Sequence, residues 1–340
     1  MQLNYNLLSK HRTKLMGFAI LSILLLHFCQ DVAFYNTHMS YVNRFSHIYL
    51  RFFSSFGVDL FIIVSAIGIY YSWNKSKNFK DYIYKRINRV VIPYFMIAIP
   101  YFIVINFILH NNSFIYFIKD LFFISFFESG NSIFWYIITI IIFYILFPLL
   151  NKIINETKRR KIYLILMIII DIIINYLIYK YNFIQYSKII LFLVRIPTMF
   201  IGTYIAKKVY NKEVVNKNTV LLLVLLFFLV NFMFVYDFKY IIHNFFYSRY
   251  LTIILSIIIM YSLSLLLEYL DNKVINKVLD FFGKYTLELY IFHVAFRHIL
   301  TAELGVTIYK IRYAPIFLIL MIIISVLFSK AYSKVKFKKD

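Results

Sequence analysis

Long apolar runs alternate with short polar, basic segments along the whole chain. Because a bilayer core about 30 Å thick needs about 20 helical residues, ten of these runs are long enough to cross it. The pattern therefore predicts an all-α, polytopic integral membrane protein with one domain over 1–340. Its transmembrane bundle is predicted at about 15–329, with a tail of 330–340. The ten spans are, approximately, 15–34, 52–73, 91–109, 133–150, 162–179, 188–206, 219–236, 251–268, 286–300 and 314–329.

Basic residues are distributed unevenly over the segments between these spans. Of the 37 Lys and Arg residues, 26 fall in the two termini and in alternate loops, 10 are assigned to the opposite side, and Arg195 lies inside a span. Since basic loops are retained in the cytoplasm, both termini are predicted to be cytoplasmic, in a multi-pass protein of the cell membrane. The net charge of +22 is then mainly a signal of topology, and nucleic acid is not an expected partner.

Composition narrows the class further. With 62% hydrophobic and 15% charged residues, the chain is not an ordinary soluble globular protein. Its single cysteine, Cys29, excludes an intramolecular disulfide framework and a multi-cysteine metal site, and no metal is expected. No appended soluble catalytic domain is expected, so any chemistry must use residues within or beside the bundle. Residues 268–285, with Val274, Val278 and Phe281 on one face, predict a short interfacial helix. Residues 114–132 predict a helix too short to span, which either lies in the outer interface or re-enters the membrane.

Ionisable residues inside a span are costly and are therefore functional candidates. His27 lies about 18 Å along the first span, where an imidazole can accept a proton or an acyl group, although a packing role is the alternative. Asp171 and Arg195, on consecutive helices, could form either a functional or a structural ion pair. The other candidates in the spans are Asp59, Glu288 and His293.

The basic segment before the third span is a second candidate. Arg86 and Arg89 are three residues apart on one helical face, and guanidinium groups bind phosphates through paired hydrogen bonds. A nucleotide-bearing acyl donor would need such a clamp, to which Lys85 also belongs. The alternative is that these charges only set the topology.

Six segments occur in one order along the chain: LMGFAILSILLLHF, GVDLFIIVSAIGIY, KRINRVVIPYF, FWYIITIIIFYILFPLL, RIPTMFIGTYIAK and GKYTLELYIFH. In these segments the chain resembles membrane-bound acyltransferase family 3, bacterial proteins that move acyl groups from cytoplasmic acyl-CoA to sugars. The resemblance implies acetyl-CoA as co-substrate, His27 as the catalytic histidine, and functional roles for Arg195, Glu288 and His293. It also matches Arg86 and Arg89 to the family's basic segment.

Two positions depart from the family pattern. Met16 stands where the family has an arginine eleven residues before the histidine, and only Arg12 is close enough to that helical face to replace it. Ala66 replaces a glycine. The expected function is O-acetylation of a surface polysaccharide or glycolipid, with membrane lipid and a second copy or a polymer-synthesis protein as partners. A polysaccharide-precursor transporter or flippase, and a catalytically inactive assembly partner, are the alternatives.

Overall fold

The computed structural model describes residues 4–35, 40–53, 56–76, 78–130, 133–235, 245–306, 308 and 313–335. These residues are almost entirely helical, and within them only one isolated bridge, between Asn4 and Val214, has β geometry. The α-helices are α1 Asn6–Lys10, α2 Arg12–Tyr35, α3 Tyr41–Phe53, α4 Phe56–Ser76, α5 Phe79–Arg86, α6 Ile92–Ile103, α7 Phe114–Leu121, α8 Ile124–Ser129, α9 Trp135–Asn155, α10 Arg160–Tyr181, α11 Phe183–Leu193, α12 Ile196–Tyr210, α13 Lys217–Val235, α14 Phe245–Leu270, α15 Lys273–Lys284, α16 Thr286–Arg297 and α17 Ala314–Val335. Three π-helical turns, π1 Ile87–Val91, π2 Val104–Leu109 and π3 His298–Glu303, join or extend them.

Eight helices among the described residues are long and apolar enough to cross a membrane, which identifies a multi-helix membrane protein. Two of the ten predicted spans are not among these eight. Near 219–236 the structure has α13, of which Lys217–Leu229 is a shorter apolar stretch, and at 286–300 α16 has 12 residues before π3 begins. The count of ten is therefore not confirmed, and the side on which the termini lie stays a prediction. The eight helices are Arg12–Phe34, Phe56–Ser76, Phe79–Leu109, Trp135–Asn155, Arg160–Tyr181, Phe183–Tyr210, Tyr250–Leu270 and Ala314–Lys334.

The chain forms two compact units. The first unit comprises Met1–Lys75, Leu146–Tyr181 and Val194–Lys284, and the second comprises Ser76–Ile145, Asn182–Leu193 and Tyr285–Asp340.

A close contact between α2 and α15 organises the first unit. A Cβ atom added to Gly17 would fall on the carbonyl oxygen of Leu279, and one added to Gly283 would fall on the carbonyl oxygen of Thr13. The two backbones can therefore approach only because both positions are glycine. Lys14 and Asp280 add an ion pair of 3.3 Å beside this contact. The helix predicted within 268–285 is confirmed as α15, and it is packed on the helix that carries His27.

In the second unit, α6 packs against α7 and α16, and α16 packs against α17. The segment predicted as an outer helix forms two short helices, α7 and α8, neither of which is long enough to span a bilayer. Phe123 separates them in the left-handed region, with φ of 63°. Gly130 ends α8 with φ of 75°, and its missing side chain leaves room for the backbone of Lys188.

Candidate active site

A buried ion pair lies within the first unit. The Nη1 atom of Arg195 donates to Oδ1 of Asp59 at 2.5 Å, and their side chains are 1% and 0% exposed. Two hydroxyl groups complete the shell of the carboxylate: Thr198 donates to Oδ1 at 2.9 Å and Thr252 donates to Oδ2 at 3.0 Å. Asp59 therefore accepts from three donors on α12, α14 and the residue that precedes α12. A buried carboxylate needs this number of partners to offset its desolvation.

The local sequence explains how Arg195 reaches this position. Arg195 is the residue before α12, and Pro197, in the first turn of that helix, has no N–H to donate. The start of a helix carries partial positive charge, so an arginine there is electrostatically unfavourable. Asp59 lies against the same turn through Thr198 and supplies the compensating negative charge. The carboxylate thus stabilises both the guanidinium and the start of α12.

The contacts of Asp171 in the structure differ from its predicted ion pair with Arg195. Its Oδ2 accepts from the Tyr250 hydroxyl at 3.3 Å, and its backbone carbonyl accepts from Asn175 at 2.9 Å. The ion pair of Arg195 in the structure is with Asp59, 136 positions earlier in the chain. The pairing of Asp171 with Arg195 is replaced because α4 presents a carboxylate at the beginning of α12.

His27 lies on α2, and its side chain is half-buried. Helices α2 and α4 pack at Gly57, where an added Cβ atom would lie 3.0 Å from Cβ of Ser22 and 3.2 Å from the carbonyl oxygen of Ala19. His27 is five residues along α2 from Ser22, and Asp59 is two residues along α4 from Gly57. The close contact thus holds the histidine and the buried carboxylate on two directly packed helices.

The two departures from the family pattern have structural partners in the first unit. The Nη1 atom of Arg12 occupies the space where Gly68 of α4 would carry a Cβ atom. The methyl group of Ala66 faces Gly202 of α12, where an added Cβ atom would come within 2.9 Å of it. Alanine is therefore accommodated at position 66 because position 202 is glycine. Met16 is half-buried on α2.

Within the second unit, the guanidinium of Arg86 lies over two tyrosine rings. Its Cζ atom is 5.8 Å from the ring centroid of Tyr82 and 5.6 Å from that of Tyr144. The Tyr82 hydroxyl donates to the backbone carbonyl of Tyr144 at 3.0 Å, which fixes the first ring. Arg86 is half-buried, whereas Arg89 and Lys85 are exposed, and Lys85 donates to the Ser76 hydroxyl at 2.7 Å. The three basic residues span the junction of α5 and π1.

Glu288 and His293, both on α16, also belong to the second unit. The Glu288 carboxyl hydrogen-bonds with the side chain of Ser329 on α17 and lies within electrostatic range of Arg89. His293 is 6% exposed, and its ring centroid lies 5.5 Å from that of Phe317. Within the second unit Glu288 therefore lies near Arg89, whereas His293 lies further along α16, about 7.5 Å from Glu288 by helical rise.

Comparison with known families decides the class of protein. A family model described as an acyltransferase domain, that of acyltransferase family 3, matches residues 15–330. The chain belongs to acyltransferase family 3. The membrane protein is therefore an acyltransferase, and the transporter alternative receives no support from this match. Neither the comparison with curated proteins nor that with solved structures gave a match.

The acyltransferase thus carries its predicted site residues in two groups. His27 and Arg195 belong to the first unit, and the Arg86 segment, Glu288 and His293 belong to the second. Sequence reasoning marked Asp59 as a polar residue in a span but assigned it no partner. It missed the ring of Tyr144 entirely. Thr198 and Thr252, two hydroxyl residues inside apolar runs, were the signal for a buried acceptor such as Asp59. The tyrosines near the ends of the spans were the signal for aromatic contacts of Arg86.

Proposed function

We propose that this acyltransferase uses an acyl-CoA, most simply acetyl-CoA, and transfers the acyl group to a hydroxyl of a cell-surface polysaccharide or of its lipid-linked precursor. The observation that carries the proposal is the guanidinium of Arg86, held over Tyr82 and Tyr144 beside the exposed Arg89 and Lys85. The basic side of the protein, where this segment lies, is the side predicted to be cytoplasmic. That side is where acyl-CoA is available.

The chemistry of Arg86 supports phosphate binding. Its Nε atom is buried and has no hydrogen-bond partner among the described residues. A phosphate oxygen is a strong acceptor for such a donor, and guanidinium groups bind phosphates through two parallel hydrogen bonds. Stacking on two rings pre-orders the side chain, so less conformational entropy is lost when the ligand binds. Arg89, within electrostatic range of Glu288, would supply a second cation.

We propose His27 as the group that handles the proton or the acyl intermediate. As a general base, it would take the proton from the acceptor hydroxyl while the oxygen attacks the thioester carbonyl. The C–S bond then breaks, and the thiolate of CoA leaves and is protonated. As a nucleophile, His27 would first accept the acyl group and release the thiol, and the hydroxyl would then displace the imidazole. Both routes give one ester and one thiol.

The remaining site residues have proposed supporting roles. Arg195, with its direction fixed by Asp59, would stabilise negative charge that develops on the carbonyl oxygen or orient the acceptor. Glu288 would position Arg89, and His293 would orient the acceptor from within the second unit. The acceptor is proposed from the family alone, and a second copy or a polymer-synthesis protein remains a proposed partner.

Binding of radiolabelled acetyl-CoA to the purified full-length protein tests the donor site. Arg86→Gln or Arg89→Gln should weaken binding about tenfold to a hundredfold, because each removes a charged hydrogen bond of about 1.5–3 kcal/mol. Arg159→Gln is the matched control, since it removes an exposed arginine from another basic loop and should leave binding unchanged. Equal loss in all three variants would show a general charge effect and would contradict the clamp.

Transfer of the labelled acetyl group tests His27 separately. His27→Ala should abolish transfer while the protein still inserts, folds and binds acetyl-CoA. Acid-quenched protein would show an acyl group on His27 if the covalent route operates, and none if the histidine is a base. Full transfer activity in His27→Ala would overturn the assignment.

A further inference from the structure

Helix α15 presents three distinct sides. At about 100° per residue, Val274, Val278 and Phe281 lie within about 60° of one another on the helical circle. These side chains are 70%, 45% and 38% exposed. The opposite side, with Leu279 and Gly283, is the one packed on α2. The apolar side therefore points away from the protein interior of the first unit.

A row of lysines flanks the apolar side. Lys273, Lys277 and Lys284 lie within about 40° of one another and about 90° from the centre of the apolar face. All three are exposed. The acidic residue nearest to this row on the helix, Asp280, faces Lys14 of α2 at 3.3 Å. The row thus presents positive charge beside an exposed apolar face.

The position of α15 in the chain indicates that lipid covers its apolar face and its lysine row. It begins three residues after the membrane-spanning helix Tyr250–Leu270 ends. A helix that leaves the bilayer at this point lies at the level of the lipid headgroups. There an exposed apolar face enters the acyl chains, and flanking lysines reach phosphate groups, as in amphipathic helices that lie in the membrane surface.

We propose that α15 binds anionic phospholipid headgroups through Lys273 and Lys277 while Val274, Val278 and Phe281 enter the lipid. The glycine contact with α2 then fixes the height of α2 in the bilayer, because the two backbones touch at Gly17 and Gly283. His27 lies ten residues beyond Gly17, about 15 Å along the same helix. Anionic lipid would thus set the depth of the proposed catalytic histidine. The lipid site itself does not depend on the proposed acyl transfer.

Depth-dependent fluorescence quenching of the full-length protein in lipid nanodiscs tests the proposal. The natural tryptophans, Trp73 and Trp135, are replaced by phenylalanine, and Phe281→Trp introduces one indole on the apolar face of α15. The nanodiscs contain phosphatidylcholine with increasing fractions of phosphatidylglycerol, and either lipid carries bromine on its acyl chains. Brominated phosphatidylglycerol should quench the indole more strongly than brominated phosphatidylcholine at equal fractions.

Lysine substitutions identify the source of that preference. A membrane-surface lysine contributes about 1 kcal/mol, so Lys277→Gln should raise the half-saturating fraction of phosphatidylglycerol about fivefold. Adding Lys273→Gln should raise it further. The control carries Lys158→Gln and Lys161→Gln, and should behave like the parent. Both lysines are exposed, the first in the connection between α9 and α10 and the second in the first turn of α10. Equal quenching by both brominated lipids, no quenching by either, or an equal loss in the control would each overturn the proposal.

Discussion

Removing the carboxylate of Asp59 should destabilise the protein more than removing any other single acidic group in the first unit. In Asp59→Ala, Arg195 would stay buried, at 1% exposure, without the carboxylate of its ion pair. Breaking a buried pair in this way costs about 3–5 kcal/mol, because the guanidinium stays buried after it loses the carboxylate that offsets its desolvation. Thr198 and Thr252 would also lose an acceptor, but each can turn to a backbone carbonyl of its own helix, so their loss adds little.

The free energy of unfolding, measured by SDS titration in mixed detergent micelles, reports this loss. Asp171→Asn is a suitable control, because Asp171 is also buried, at 6% exposure, and its carboxylate accepts from Tyr250 at the long distance of 3.3 Å. That change should cost about 1 kcal/mol or less, the value of one weak hydrogen bond. A matching loss in both variants would show that any buried carboxylate has this effect, and that the ion pair is not its cause.

A double-mutant cycle makes the test stricter. Replacing both charges, as Asp59→Leu with Arg195→Met, removes both buried charges together and should restore most of the stability that either single change loses. The expected coupling is about 3 kcal/mol. If the double variant loses the sum of the two single losses, the pairing argument is wrong. If it is stable but transfers no acetyl group, Arg195 has a chemical role in addition to its structural one.

Two further predictions concern other contacts of the first unit. Gly283→Val should lower the free energy of unfolding by about 1–3 kcal/mol, because the new side chain meets the Thr13 carbonyl where α15 contacts α2. Thermal unfolding measures this loss. A curve equal to the parent's would show that the two helices can move apart without loss of stability. Met16→Arg restores the family arginine. If the parent transfers no acetyl group and the variant does, the natural chain is the inactive assembly partner. Acetyl transfer by the parent itself would exclude that role.

The helical character of the chain follows from hydropathy, but the ends of its helices do not. The basic loop before the third span is itself helical, so one continuous helix runs over Phe79–Leu109. The charged residues of this loop lower its mean hydropathy, so hydropathy alone does not show that the helix begins at Phe79. The usable signal was Asn78, which caps the helix by accepting from the backbone N–H of Lys80 at 2.9 Å.

The partner of Arg195 could not have been predicted in the same way. Helical rise gives the depth of a residue in the membrane, but it does not say which neighbouring helix a side chain faces. Asp59 and Asp171 were both candidates by depth, and only packing distinguishes them. The contact of Ala66 with Gly202 brings α4 against α12, while Gly57 packs α4 on α2. Backbone approach, rather than charge, therefore decides the pair.

Position 16, where the family has an arginine, lies on the same helix as Arg12. Arg12 precedes His27 by 15 residues, about 22 Å along α2, whereas position 16 lies about 16.5 Å from it. The guanidinium of Arg12 turns sideways to α4 and fills the space above Gly68. An arginine at position 16 would add a second cation one turn away from Arg12. Gly68 is the residue that leaves room for the guanidinium of Arg12 against α4.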